Sequence, residues 1–118
     1  MKGNISKELS DLSFIRLLKS FSKKEITDFE KFIASPFFNS QSTLVKIFSE
    51  IKKYYPEFSD NNFTKKNLYE KVNPGKIYND VIFRKYISNL FKLSEKFLIV
   101  NDTLQNNERK ITFLLDQY

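Results

Sequence analysis

The sequence of 118 residues contains no cysteine, no histidine and no tryptophan. The lack of cysteine excludes disulfides, thiolate nucleophiles and cysteine-ligated metals. The lack of histidine removes the commonest general base and the commonest transition-metal ligand. The two glycines, Gly3 and Gly75, are too few for a glycine-rich phosphate loop. The sequence therefore predicts a protein that is not an enzyme and that holds no metal or cofactor.

Long apolar runs are also missing. The longest, Phe97–Val100, has four residues, whereas a membrane-spanning helix needs about 20. The N-terminal stretch MKGNISKELSDLS lacks the apolar core of a signal peptide. The absence of cysteine fits a reducing compartment. We therefore predict a cytoplasmic protein with no membrane partner.

Aromatic residues, by contrast, are abundant. Hydrophobic residues make up 41% of the chain and aromatic residues 16%, with 13 phenylalanines. A chain of this length buries about two thirds of its unfolded surface, which is enough for one core, so we predict a single helical domain over residues 1–118. Because the sequence ends on an apolar stripe, the hypothesis that it is the N-terminal part of a longer protein is left open.

Apolar residues recur with the period of a helix rather than the alternation of a strand. In the first segment, for example, Phe14, Leu17 and Phe21 share one helical face. The predicted helices span about residues 7–20, 23–34, 39 or 40 to 54, 65–72, 80–99, and a last stretch to 118 after a break near Asn101. The predicted fold class is therefore all-α, a compact irregular bundle of five or six short helices.

Local signals mark where these helices begin and end. Ser22 and Glu25 fit a capping box at the start of the second helix, and Pro36 forbids its continuation. Thr64 is the predicted N-cap of the fourth helix. Residues 73–76 fit a type II turn. Asn79 or Asp80 is expected to cap the long helix that follows. The buried positions predicted on that helix are Phe83, Tyr86, Ile87, Leu90, Phe91, Phe97 and Leu98.

Two adjacent phenylalanines, Phe37 and Phe38, lie in the predicted turn SPFFN, although turns are usually polar. In one interpretation they fold inward and fasten the turn to the core. In the other they form an exposed docking knob. Leaving both rings in solvent would lose several kcal/mol of folding free energy, because burial contributes about 25 cal/mol per Å² of apolar surface. We therefore predict that at least one of them folds inward.

The leading functional hypothesis is a protein-interaction or scaffolding module, whose partner is another protein or a second copy of the chain. It rests on the aromatic surplus and on the amphipathic C-terminal stretch. The candidate contact residues are Phe37, Phe38, Leu114, Leu115 and Tyr118.

The alternative hypothesis is DNA binding by a helix-turn-helix or winged helix. The formal net charge is +6, and a short helix, a turn and a long basic helix follow one another over residues 65–99. Against it, only three of the 20 basic residues are arginines. The sequence leaves open whether residues 101–118 form a helix or a β-hairpin wing. The candidate nucleic-acid contacts are Arg84, Lys85, Ser88, Asn89, Lys92 and Lys96.

Two stretches carry a resemblance to known sequences: FSKKEITDFEKFIASPFFNSQSTLVKIFSEIKKYYPEFS and YNDVIFRKYISNLFKLSEKFL. They resemble the N-terminal helical segment of Bacteroidetes-type bacterial proteins of unknown function. The resemblance covers about residues 17–98. It implies a helical domain that is followed by more helical sequence, and it implies no catalytic residue.

Overall fold

Helices account for nearly all of the regular structure. The computed structural model describes residue 9 and residues 12–117, with side chains up to residue 102. The helices are α1 (Ser13–Lys19), α2 (Lys23–Ala34), α3 (Ser42–Ile51), α4 (Lys65–Val72) and α5 (Asp80–Gln117), and a 3-10 turn, Lys52–Tyr54, continues α3. No strand occurs in this part of the chain. The predicted all-α bundle is confirmed.

The connection between α1 and α2 is a sharp corner with the predicted capping box. The Ser22 hydroxyl accepts a hydrogen bond from the Glu25 backbone N–H at 3.1 Å, and the Glu25 carboxylate accepts one from the Ser22 N–H at 2.7 Å. These two bonds satisfy backbone donors at the start of α2 that have no partner within the helix. The Tyr55 hydroxyl donates to the Phe21 carbonyl at 2.5 Å and ties the corner to the end of α3.

Phenylalanine rings form the centre of the core. Phe29 of α2 is fully buried, and its ring lies near aromatic rings from every neighbouring helix. The ring centroids within reach of Phe29 are those of Phe14 (6.3 Å), Phe21 (6.1 Å), Phe32 (6.4 Å), Phe48 (5.0 Å) and Phe97 (5.4 Å). Because these residues come from α1, α2, α3, α5 and the first corner, Phe29 joins most of the bundle.

The loop between α3 and α4 is closed by Phe58. Its ring is buried and lies 5.4 Å from that of Phe63. Phe58 has a φ of 51°, a left-handed conformation that is uncommon for a bulky residue. Its N–H donates to the Tyr54 carbonyl at 2.8 Å. Burial of the ring and this hydrogen bond offset the backbone strain.

Helix α5 is continuous, and the predicted break near Asn101 is wrong. The helix runs for 38 residues, from Asp80 to Gln117. The stretch after Val100 is rich in asparagine, but it contains neither proline nor glycine. Asparagine, aspartate and threonine lower helix propensity by less than about 1 kcal/mol each, so they do not stop a helix. Residues 101–117 therefore form no hairpin.

Two other helix boundaries differ from their predictions. Helix α3 begins at Ser42 rather than near Asn39 or Ser40, because the Asn39 side chain bonds to the Ile33 carbonyl of α2 and to the Gln41 N–H instead of capping α3. Helix α1 begins at Ser13 rather than near Lys7. Leu12 before it is extended and makes no side-chain cap.

The buried face of α5 is close to the predicted one. Phe83, Ile87, Leu90 and Phe97 are buried as expected. Tyr86, Phe91 and Leu98 are only half-buried, whereas Leu93 and Ser94 are buried although neither was predicted. The Ser94 hydroxyl is tolerated there because it donates to the Phe91 carbonyl at 2.6 Å.

Candidate interaction surface

The turn between α2 and α3, residues 35–41, is held by hydrogen bonds from its own backbone. Pro36 keeps Ser35 extended, with φ −79° and ψ 120°, and this ends α2. The Ser35 carbonyl then accepts from the N–H groups of Phe38 (3.1 Å) and Asn39 (2.9 Å). The turn is therefore a defined structure rather than a loose connection.

Asn39 adds three further bonds to this turn. Its amide nitrogen donates to the carbonyls of Ile33 at 2.8 Å and Gln41 at 3.1 Å. Its side-chain oxygen accepts from the Gln41 N–H at 3.0 Å. The bond to Ile33 satisfies a carbonyl in the last turn of α2, which has no partner within the helix. Asn39 thus connects the end of α2 to the start of α3.

The two phenylalanines of the turn have opposite environments. Phe38 is half-buried and stacks on Phe32 with ring centroids 4.3 Å apart. Phe37 is 86% exposed, and its ring meets that of Phe38 edge-on at 4.9 Å. The prediction that at least one ring turns inward is confirmed for Phe38. Phe37 takes the alternative position, in solvent.

The turn lies against the middle of α5. A shallow polar depression of about 220 Å³ separates residues 38–41 from Asn89, Lys92 and Leu93. Two sets of predicted site residues, from the turn and from α5, are therefore neighbours in space. We call the surface formed by Phe37, Phe38, Asn39, Asn89 and Lys92 the corner surface.

Three lysines lie along the outer side of α5. Lys85, Lys92 and Lys96 are exposed, and their spacing of seven and four residues places them on one side of the helix. Within the part of the chain that the structure describes, none of the three forms an ion pair. Ser88 is exposed on the same side, and Asn89 is half-buried against the turn.

Arg84 differs from these lysines because it is paired. Its Nε lies 2.9 Å from Oδ2 of Asp80, and the Tyr78 hydroxyl donates to Oδ1 of Asp80 at 2.8 Å. The Tyr78 hydrogen bond is the main cause that holds the pKa of Asp80 below its usual value; partial desolvation opposes it, and the charges of Arg84 and Lys65 add to it. Burial, followed by the bond to Asp80, raises the pKa of Tyr78 above its usual value.

A groove of about 660 Å³ runs between the start of α1 and the first half of α5. Phe14, Phe83 and Ile87 line it, with Lys65 and Arg84 among the polar residues. Phe14 is 1% exposed and Phe83 is 0% exposed, so these rings are already covered by the bundle. The accessible lining of the groove is nevertheless mostly apolar, and half-buried side chains such as Leu12 and Phe91 contribute to it.

Exposed apolar side chains near α5 were not predicted. Ile77 is 91% exposed, Val81 64% and Ile99 68%. Val81 and Ile99 lie two residues from the buried Phe83 and Phe97, and two residues along a helix reach the opposite side. A helical projection of α5 therefore predicts that Val81 and Ile99 are exposed.

Three of the predicted contact residues cannot be placed on this surface. The backbone of Leu114 and Leu115 is part of α5, but their side chains lie outside the described part of the structure. Tyr118 also lies outside it. Their role in contacts stays a prediction.

The turn before α5 and the course of α5 bear on the DNA-binding hypothesis. The connection between α4 and α5 spans seven residues, 73–79, whereas a helix-turn-helix uses about three or four. Gly75, with φ 79°, and the bond from Lys76 N–H to Asn73 O at 3.1 Å form the predicted turn. Contact with nucleic acid would therefore come from the lysine side of α5 rather than from a wing.

The described part of the chain shows neither a metal site nor a membrane-spanning helix. The described residues contain no group of three or more acidic side chains that could hold a metal ion. Over the same residues, no helix is long and apolar enough to span a membrane. No protein-family model, curated protein or solved structure matches this chain. The resemblance to Bacteroidetes-type proteins therefore stays a prediction.

Proposed function

We propose that this protein is a non-catalytic protein-interaction module and that the corner surface is its contact site. The observation that carries the proposal is Phe37, a phenylalanine ring that is 86% exposed on a turn held by hydrogen bonds. Chains of this size usually bury such a ring when the backbone allows it.

The turn prevents Phe37 from folding inward. Phe38 occupies the inner position on Phe32, and Asn39 fixes the backbone on the C-terminal side. A side chain presented by a rigid turn loses little conformational entropy on binding. Burying it in a partner yields about 1.5–3 kcal/mol. This is the behaviour of the aromatic residues that dominate protein interfaces.

A photo-crosslinking experiment tests the proposal. Phe37 is replaced in cells by p-benzoylphenylalanine, which keeps the aromatic ring and forms covalent adducts with proteins within a few ångströms. We expect a discrete adduct at position 37. The matched control carries the same group at Ile77, which is 91% exposed but lies outside the corner surface. Identical adducts at both positions, or none at position 37, refute the proposal.

A second candidate function is nucleic-acid binding by the lysine side of α5. The observation that favours it is the alignment of three exposed lysines without ion pairs among the described residues. Such a row contacts phosphates without reading bases. The affinity for nucleic acid should fall as salt is added. The logarithm of the binding constant should change with the logarithm of the salt concentration with a slope of about −0.9 per phosphate contacted.

This candidate is tested by titrating duplex and single-stranded DNA at several salt concentrations. Changing all three lysines of the row to glutamine should reduce the salt slope by about 2–3. The control changes three exposed lysines elsewhere, so that the net charge falls equally. The row is Lys85, Lys92 and Lys96, and the control set is Lys23, Lys46 and Lys71. Equal effects of both sets would indicate a response to net charge alone.

A further inference from the structure

Helix α5 carries an apolar residue at every seventh position. A second series begins three residues later and is apolar except at Asn107. Because 3.6 residues make one turn, positions spaced three and four apart form one seam along a helix. We call these two series together the α5 seam. The first series is Phe83, Leu90, Phe97, Leu104 and Ile111, and the second is Tyr86, Leu93, Val100, Asn107 and Leu114.

The first half of the α5 seam is the face that the bundle covers. Phe83 and Leu90 are 0% exposed and Phe97 is 5% exposed. Leu93 is buried between them, and Tyr86 and Val100 are half-buried. Helices α1, α2 and α3 all contact α5. The seam is therefore an established packing surface over its first half.

The second half of the α5 seam extends along the molecule past this covered part. At about 1.5 Å per residue, the helix is about 57 Å long, close to the 61 Å length of the whole molecule. Phe97 is the last buried position among the residues with described side chains. The shorter helices thus cover the first half of α5.

The sequence of the second half favours a packed helix over an isolated one. Asn101, Asp102, Thr103, Asn106 and Asn107 are all poor helix formers. Isolated helices shorter than about 12–15 residues are marginal in water, and helices in proteins depend mostly on packing of their apolar face. A surface that covers Leu104, Ile111 and Leu114 would therefore stabilise the helix through this stretch.

We propose that residues 100–117 of α5 pair with the same segment of a second copy of this chain, along the α5 seam. The seven-residue repeat is the pattern of helices that pair with other helices. Asn107 is the single polar residue in the second half of the seam. One asparagine in such a seam sets register and partner number at some cost in stability.

Charge supports a second copy as the occupant. The whole chain has a net charge of +6, but residues 100–117 contain three acidic and two basic residues, a net charge of −1. Two copies of a basic protein repel one another over most of their surfaces. Along this segment they approach without that repulsion. Because the bundle occupies the first half of the seam, the pairing is short, and we expect a dissociation constant on the order of micromolar.

Sedimentation velocity of the full chain from about 1 to about 200 µM tests this pairing. The wild type should shift from monomer to dimer over this range. Ile111→Asp places a charge in the seam and should raise the dissociation constant at least about tenfold. Leu104→Asp, on the same seam, should do the same. Phe113→Asp is the matched control, because position 113 lies about 200° around the helix from position 111, and it should leave the dimer intact.

Circular dichroism of each variant shows whether the bundle is still folded, and we expect that it is. A wild type that stays monomeric at the highest concentration overturns the inference. An equal loss of dimer in Phe113→Asp and Ile111→Asp also overturns it. The pairing does not involve the corner surface, so crosslinking at position 37 should persist in Ile111→Asp. The two proposals can therefore fail separately.

Discussion

At the scale of single residues, the same side chain takes opposite roles at neighbouring positions. Phe37 and Phe38 have identical chemistry, but one is in solvent and the other stacks on Phe32. The bonds to Ser35 and Asn39 set the backbone directions that separate them. Residue type predicted that at least one ring folds inward. It could not show which one, because that depends on where Phe32 lies.

Asp80 provides a prediction about pH at the same scale. Its pKa is lowered in the folded state, first by the Tyr78 hydroxyl. A carboxylate with a lowered pKa stabilises the fold above its unfolded pKa of about 3.9, and this contribution disappears as the pH falls through the folded pKa. Asp80→Asn should therefore reduce the free energy of unfolding at pH 7 by less than about 1 kcal/mol, because the group is largely exposed.

Urea unfolding of both proteins at pH 7 and near pH 3 measures this effect. The difference between wild type and Asp80→Asn should shrink toward zero at the lower pH. Asp60→Asn serves as a comparison, since Asp60 is exposed and lies outside the cluster around Tyr78. A difference that stays constant with pH contradicts the assigned role of the Asp80 carboxylate.

At the scale of secondary-structure elements, the first residue of a helix was predictable where a cap close in sequence marks it. Ser22 with Glu25, Thr64 and Asn79 all cap the helices that follow them. A cap involves residues about three apart, so its signal is local. The start of α3 was mispredicted because Asn39 bonds back to Ile33, six residues earlier. The length of α5 was mispredicted because weak helix formers were treated as a stop.

Asn39 provides the prediction at this scale, since it joins α2 to α3. Asn39→Ala removes three hydrogen bonds and leaves the Ile33 carbonyl without that partner. We expect a loss of about 1–2 kcal/mol in the free energy of unfolding, measured by urea titration. Ser40→Ala is the control, because Ser40 is exposed, and it should change stability by less than about 0.5 kcal/mol. Similar values for both variants would show that the turn does not depend on Asn39.

At the scale of the whole molecule, the bundle is organised around one aromatic side chain. The Phe29 ring lies within 6.4 Å of five other phenylalanine rings. These rings belong to residues far apart in the chain, from Phe14 to Phe97. Helical periodicity identified Phe14, Phe21 and Phe97 as core positions. It could not show that they converge on Phe29, since convergence depends on the angles between helices.

Phe29→Ala should therefore weaken the whole fold. Removing a fully buried phenylalanine costs about 3–5 kcal/mol, a large part of the 5–15 kcal/mol that is typical of small domains. We expect an unfolding midpoint at much lower urea concentration. Phe37→Ala, which removes an exposed ring of the same size, should shift it little. A loss below about 1 kcal/mol in Phe29→Ala is incompatible with its central position.

The amino-acid order alone determined the helical class, three of the caps, the turn at Gly75 and the absence of cysteine and histidine chemistry. These properties follow from residue identities and from interactions within one or two helical turns. Packing alone brought Phe38 beside Lys92 and covered the first half of the α5 seam. Contacts between residues about 50 positions apart depend on how helices cross, and crossing angles arise from the fit of many side chains at once.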